Sequence, residues 1–416
     1  MPTTFLKPNE SKLNNTTERI QILDILRGMA LMGILIVHFV TGMHWIFASP
    51  EQKALMPFPE INVIVGPVID FFLSDKSRTL FAFMFGLTFF IQIKSAEQNS
   101  KPFQRAFLWR LTILMIFGLL HGHLLFGADI LRYYAVGGLL LLLIYNWSSK
   151  ALLIIGFVLN IVVPIIATIV SIVFDINFFS DFPDMMSVHQ AYMSTSFWDN
   201  FLINHQSAMW RYNWFFLLYF AVPVTGIFLF GIWMGRRNYL QHPEKHSKVL
   251  KRFAMYGLGL GFLIQAGNLF FNLAVENKWI SENVPLFIIR DFIVSTAILL
   301  IALGYVSIVS LLFLRPGWKR FLSVLAPAGR MTLTNYVMQS VLLWVIFNGS
   351  GFGLYLKIGP SITIFIALAL CGLQLAFSNY WLNYFKMGPL EWIWRYVNSG
   401  KRPEFKKSVA KYNETV

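Results

Sequence analysis

The sequence predicts an all-α integral membrane protein, a bundle of about ten transmembrane helices with both termini in the cytoplasm. Three observations lead there. Of the 416 residues, 56% are hydrophobic and only 13% charged, with a mean hydropathy of +0.59; a soluble domain carries nearly twice that charged share. Apolar stretches close to the length needed to cross a bilayer recur along the chain. The lysines and arginines gather in short segments between them.

A polar tail, residues 1–21, comes first and holds Lys7, Lys12 and Arg19. A cleaved signal peptide is not expected, because Arg27 interrupts the first apolar run and no Ala-x-Ala site follows it. Spans are read at 22–47, 76–94, 107–126, 131–148, 151–174 and 214–235, an N-terminal transmembrane region over 22–235. Further spans at 253–275, 289–313, 331–348 and 361–384 fall in a C-terminal transmembrane region, 236–395, and a cytoplasmic tail, 396–416, ends the chain. Ile61–Leu73 is apolar but short, and Ser74-Asp75-Lys76-Ser77-Arg78 separates it from the next run. If it lies at or re-enters from the outer surface, 25 of the 34 Lys and Arg fall on one side, which the positive-inside rule makes cytoplasmic. Counted as a full crossing, it scatters them across both faces. The expected location is the bacterial plasma membrane.

The net charge of +14 suggests nucleic acid at first sight. Its placement in loops between apolar runs argues instead for lipid headgroups, with no nucleic-acid partner. The 17% aromatic content, with 41 Phe and 13 Trp, suits lipid-facing surfaces and interfacial belts. Cys371, the single cysteine, rules out an intramolecular disulfide and reads as a small packed hydrophobe. The long outer segment Asp175–Trp214 carries Asp181, Asp184, His189, Asp199, His205, Trp210 and Arg211. It reads either as a cap over an external cavity or as an ordered loop.

Ionisable residues inside spans are costly and therefore candidates for function. The first span holds Asp24, Arg27 and His38. Arg27 and His38 are eleven residues apart, about three helical turns, so they share a face about 16 Å apart along the axis. Asp24 precedes Arg27 by three and can pair with it. The third span repeats the spacing with Arg110 and His121, and runs in the same direction. If the two faces meet, arginines mark the cytoplasmic mouth of one path and imidazoles its outer end. His123 lies about 200° around from His121, so both cannot face one cavity. Asp129 and Tyr133 follow on a common face. The plainer readings stay open: arginines near the inner boundary can snorkel to headgroups, and membrane histidines can bond helix to helix.

Other signals are weaker. Arg290-Asp291 reads equally as a local ion pair, and Asn335 and Gln339 share a face that either lines a cavity or bonds to a neighbouring helix. No P-loop, dinucleotide-binding glycine pattern, HExxH or Cys/His cluster is present, and His121-Gly122-His123 alone is poor evidence for a metal.

Leu23-Asp24-Ile25-Leu26-Arg27-Gly28-Met29-Ala30, Arg78-Thr79-Leu80-Phe81-Ala82-Phe83-Met84-Phe85-Gly86 and Phe117-Gly118-Leu119-Leu120-His121 with Asp129-Ile130-Leu131 resemble the YeiB-like bacterial membrane proteins. Gly329-Arg330-Met331-Thr332-Leu333-Thr334-Asn335-Tyr336 and Gly388-Pro389-Leu390-Glu391-Trp392-Ile393-Trp394-Arg395 resemble that family's C-terminal domain of unknown function. The first helix is also similar to those of the wider transmembrane acyltransferase superfamily. Its acyltransferase-three members carry an Arg and a His with ten residues between them on that helix, as Arg27 and His38 stand here. The lysosomal heparan glucosaminide acetyltransferase resembles the same helix, but its essential histidine, further on, has no counterpart in this chain.

That resemblance implies transfer of an acyl group from cytoplasmic acyl-CoA, acetyl-CoA for instance, to a cell-envelope glycan or lipid acceptor at the outer face. Arg27, Arg110 and Arg330 would hold the donor's phosphates. His38, with His121, would supply the general base or carry the acyl group, and Asp129 would orient a histidine or the acceptor. No metal is called for. A transporter or flippase using the same polar path, or a non-catalytic membrane partner, are the alternatives.

Overall fold

The computed structural model describes residues 10–99, 103–174, 182–213, 216–280 and 284–407. Among these there is no β-strand, only an isolated bridge between Phe385 and Lys406. Asp181, Trp214 and the end of the tail, 408–416, lie outside the described residues, as do the side chains of Lys7, Lys12 and Arg19. Helix is the structure these runs must take, because a chain in lipid has to satisfy its backbone hydrogen bonds within the segment itself.

Helix α1 is Glu10–Val40. α2 (Pro59–Phe72), α3 (Lys76–Gln98), α4 (Phe103–Leu124) and α5 (Leu131–Ile144) follow. α6 (Ser149–Phe157) runs through a π-helical turn, Val158–Val162, into α7 (Val163–Val173). Two further helices come next, α8 (Met185–Met193) and α9 (Phe197–Trp210). A second π-helical turn, Leu217–Ala221, leads into α10 (Val222–Arg236). α11 (Ser247–Glu276) and α12 (Val284–Phe313) form a long pair. The short α13 (Ala326–Arg330) precedes α14 (Thr332–Phe347), α15 (Pro360–Tyr384) and the amphipathic α16 (Pro389–Ser399).

Among the described residues, eight helical stretches are long and apolar enough to cross a membrane; α5 and α14, with 14 and 16 residues, are apolar but shorter. This is a membrane protein. Large apolar side chains such as Leu143, Ile154, Leu263, Phe365 and Leu373 stand exposed on helix faces, as lipid contact requires. In the most apolar stretch of α1, 72% of residues are buried, against 11% for Ser149–Val173, so α1 is the central helix. Ile25 and Leu26 join one core cluster with α3 and α10; Leu31, Leu35 and Phe39 join a second with α14 and α15.

The uncertain stretch at 61–73 is a helix of its own, α2, ending at a break where Asp75 takes φ 59. The Asn62 side chain accepts from the Ser361 backbone N–H at 2.8 Å, and the Phe72 carbonyl accepts from the Tyr305 hydroxyl at 2.8 Å. α2 thus runs from the start of α15 to the middle of α12, with Val63 and Ile64 on its exposed face.

Candidate functional site

The C-terminal end of α4 carries the first constellation. After Leu124 the chain turns back, the His121 carbonyl accepting from the Leu125 and Phe126 N–H groups, both at 3.0 Å. Asp129 then precedes α5, and its Oδ2 accepts from the Arg132 N–H at 3.2 Å. This hairpin brings Asp129 against His121, Nδ1 to Oδ1 at 2.8 Å. On the far side of the ring, His121 Nε2 lies 2.9 Å from Ser340 Oγ of α14, and the Tyr336 hydroxyl, one turn earlier, reaches Asp129 Oδ1 at 3.4 Å. His121 is 4% exposed and Asp129 0%. Gly118 makes room for the hairpin: a β-carbon there would lie 2.7 Å from Arg132 N and 2.9 Å from Asp129 Oδ2.

The segment 182–213 covers this hairpin. Asn204 of α9 accepts from the Gly127 N–H at 2.6 Å and donates to the carbonyls of Gly122 (3.2 Å) and His123 (3.1 Å). Buried Arg132 donates to the carbonyls of Gly127 and Ala208. His123 turns the other way, to the Tyr212 hydroxyl at 2.8 Å and the His205 ring. Asp184 caps α8, Asp199 accepts from the Ser194 hydroxyl, and His189 bonds Tyr355. His38 does not touch Asp129. Its ring packs on Phe126 with centroids 5.0 Å apart, within electrostatic reach of His121 and Arg78.

At the other end of α1 and α4, Arg27, Arg110 and Arg330 all line one cavity of about 700 Å³. Arg395 and Lys386 join them, so five cations face it against two carboxylates, Asp24 and Glu391. Arg27 pairs with Asp24 at 3.0 Å and donates to Thr88 Oγ1 at 2.5 Å. Arg110 donates to Gln92 Oε1, while its buried Nε has no hydrogen-bond partner. Arg395 lies close enough to repel it. Like charges gathered this way repel one another and make the cavity electropositive.

The wall formed by α16 is fastened by Glu391. Its Oε1 accepts from the Leu333 and Thr334 N–H groups at 2.7 and 3.1 Å, capping α14, and its Oε2 accepts from Thr334 Oγ1. Burial pushes the Glu391 carboxyl up from its ordinary range, and these hydrogen bonds act against that shift. Lys386 bonds Glu404, which holds that carboxyl below its usual range.

The sequence-predicted residues therefore form two groups, three arginines below and His121 with Asp129 above. Leu31 and Leu35 of α1, with Leu114 and Phe117 of α4, occupy one apolar cluster at intermediate positions along these helices. Asn335 and Gln339 take the interhelical role, bonding Ser378 and Gln374 of α15. Sequence reasoning missed Ser340, Asn204, Gln92, Arg395 and Glu391. Ser340 left a readable signal, four residues after Tyr336 and so on its face of α14, and Glu391 and Arg395 stand in a motif quoted above without a role.

A second cavity, of about 290 Å³, lies among α3, α7, α10, α12 and the two π-helical turns. Its polar lining includes Asp75, Arg78, Asn160, Tyr219 and Asp291, Asn160 and Tyr219 sitting in the two π-helical turns. Asp75 pairs with Arg78 at 2.7 Å, and Arg290 with Asp291 at 2.8 Å.

Residues 234–401 match the family described as a protein of unknown function, DUF418. Over nearly its whole length the chain is similar to the "Uncharacterized protein YxaH" of Bacillus subtilis (strain 168), 32% identical over 398 residues, covering 91% of this chain and 94% of that protein. The chain belongs to the DUF418 family. Similarity to this DUF418 protein extends to the "Uncharacterized 39.9 kDa protein in amylase 3'region" of Bacillus acidopullulyticus, 28% identical over 390 residues and covering 92% and 95% of the two chains. It also reaches the "Uncharacterized protein YeiB" of Escherichia coli (strain K12), 25% identical over 394 residues, covering 91% and 96%. No solved structure matches it.

Proposed function

We propose that this DUF418 protein is a membrane-embedded acyltransferase of the wider transmembrane acyltransferase superfamily. It crosses the bacterial plasma membrane about ten times with both termini inside. It passes an acyl group, such as acetyl, from cytoplasmic acyl-CoA to a glycan or lipid acceptor at the outer face. The observation that carries this reading is the cavity where Arg27, Arg110, Arg330 and Arg395 converge.

Guanidinium forks suit the phosphates of coenzyme A, and the unpartnered Arg110 Nε is a donor left over for them. Eleven residues further along the same helix, about 16 Å, stands His121. The extended pantetheine arm of coenzyme A covers such a distance. There Asp129 holds the His121 ring in one tautomer and orientation, which a general base needs. His38 is the second imidazole at that end and would receive or deliver the acceptor's proton.

The test is acetyl-CoA-dependent release of free coenzyme A thiol by the detergent-purified protein, with a cell-envelope extract as acceptor pool. Release that needs the extract, and fails in His121→Ala and His38→Ala proteins that still fold, supports the reading; undiminished release in both variants overturns it. A transporter is the second reading, favoured by the helix break at Asp75 beside a polar cavity within the helical bundle. It requires substrate movement without thiol release.

A further inference from the structure

Asp129, His121 and Ser340 stand in a line, and their surroundings fix which way the protons point. Asp129 Oδ2 accepts from a backbone N–H, and Oδ1 from the Tyr336 hydroxyl. With donors on both oxygens it is an acceptor toward His121 as well, so the proton in the 2.8 Å contact belongs to His121 Nδ1. In its neutral form the ring then carries its lone pair on Nε2, and that form takes the hydroxyl proton of Ser340 in the 2.9 Å contact there.

A serine that donates to a neutral imidazole, itself held by a carboxylate at its other nitrogen, is an activated nucleophile. A plain clamp between α4 and α14 would need one hydrogen bond and no carboxylate behind it. Burying Asp129 there at 0% exposure costs more than such a clamp returns. The Tyr336 hydroxyl bonds the carboxylate while its ring packs on His121 with centroids 4.9 Å apart, and Gly118 leaves space for both the Asp129 carboxylate and the Arg132 N–H.

We propose that Ser340 carries the acyl group as an ester during transfer, an inference that rests on the acyltransferase reading. In the first half-reaction Ser340 Oγ attacks the thioester carbonyl carbon and its proton passes to His121 Nε2. The carbon–sulfur bond breaks, and the departing sulfur takes that proton to leave as free coenzyme A thiol. In the second half an acceptor hydroxyl or amine attacks the ester and gives its proton to His121. Ser340 Oγ departs and recovers that proton. Asp129 is a positioning residue in both halves.

The experiment is peptide mass spectrometry of the full-length protein after incubation with acetyl-CoA and no acceptor. One acetyl group on Ser340 is expected in the wild type, none there in Ser340→Ala, and in Ser340→Cys a thioester that neutral hydroxylamine removes. The wild-type adduct is read without a variant, so a folding defect in Ser340→Ala does not spoil the test. Thiol release that persists with Ser340 unmodified, or an adduct on His38 instead, overturns the role of Ser340 and leaves the acyltransferase reading standing. No thiol release by the wild type with any acceptor overturns that reading and this inference with it.

Discussion

Gly28 of α1 and Gly329 of α13 meet backbone to backbone: a β-carbon built at Gly329 would lie 1.8 Å from the Asp24 carbonyl oxygen, and one at Gly28 would lie 2.2 Å from that of Leu325. This contact sets Arg330 beside Asp24 and Arg27 at the mouth of the basic cavity. Gly329→Ala must therefore push α13 off α1. Overpacking of this kind costs about 1–3 kcal/mol, so a lower unfolding temperature in detergent is expected, together with weaker acetyl-CoA binding. Gly372→Ala, on a face of α15 with nothing within 4 Å, is the control and should match the wild type. Equal unfolding temperatures for the two variants would remove the contact from the argument.

The same pair shows what could be read in advance. Both glycines fall in motifs that sequence inspection singled out, and helical periodicity alone put Arg27 and His38, and Arg110 and His121, at opposite ends of their helices. Periodicity fixes what one helix presents; it does not name the partner helix. Ser340 was therefore invisible as the neighbour of His121, since the contact depends on α14 packing beside α4. Arg395 and Glu391 were missed for a related reason: α16 folds back over the cavity through contacts with residues some sixty and more positions away, such as Trp109 donating to the Val397 carbonyl. Span ends were overrun where apolarity outlasts helix, as at 22–47, where α1 stops at Val40 and the chain turns through Thr41 and Gly42.

Asn204 tests whether the segment 182–213 is part of the site. Asn204→Ala leaves the Gly127 N–H without its acceptor and the Gly122 and His123 carbonyls without their donor. An unsatisfied buried group costs about 1–3 kcal/mol, and hydrogen exchange at Gly127 should rise with it. Asn204→Asp keeps the acceptor and loses the donors, so its exchange should fall between the two. Exchange at Gly127 unchanged in Asn204→Ala would mean that α9 does not hold the hairpin.

Orientation can be read with thiol labelling in a Cys371→Ala background. Phe352→Cys, in the exposed turn between α14 and α15, should react with an impermeant maleimide on intact cells. Lys248→Cys, at the start of α11, should react only after permeabilisation. The reverse pattern would place the basic cavity outside, where acyl-CoA is absent, and end the proposed direction of transfer.

Arg110 separates phosphate recognition from simple charge. Arg110→Lys keeps the cation and loses the planar fork, including the Nε donor that has no partner in the protein. A charge-assisted hydrogen bond is worth about 1.5–3 kcal/mol, so acetyl-CoA affinity should fall roughly tenfold to a hundredfold. Calorimetric titration of the detergent-solubilised protein measures it. Arg110→Gln should lose at least as much and show a shallower dependence of affinity on salt. Wild-type affinity in Arg110→Lys would assign the cavity to charge attraction alone.

Asp129→Asn separates binding from chemistry. An amide at this position places a hydrogen-bond donor or a weaker acceptor opposite His121 Nδ1, and either choice relaxes the tautomer that directs Nε2 at Ser340. Loss of such an orienting carboxylate costs on the order of 10³–10⁴ in rate where a serine–histidine pair does the chemistry. The basic cavity lies about 16 Å away along α4, so acetyl-CoA affinity should stay at its wild-type value while thiol release collapses. Comparable losses of affinity and rate would instead point to a folding defect. An undiminished rate with wild-type affinity would mean that the Asp129–His121 pair is only a clasp on the α4–α5 hairpin, leaving His38 as the imidazole that acts.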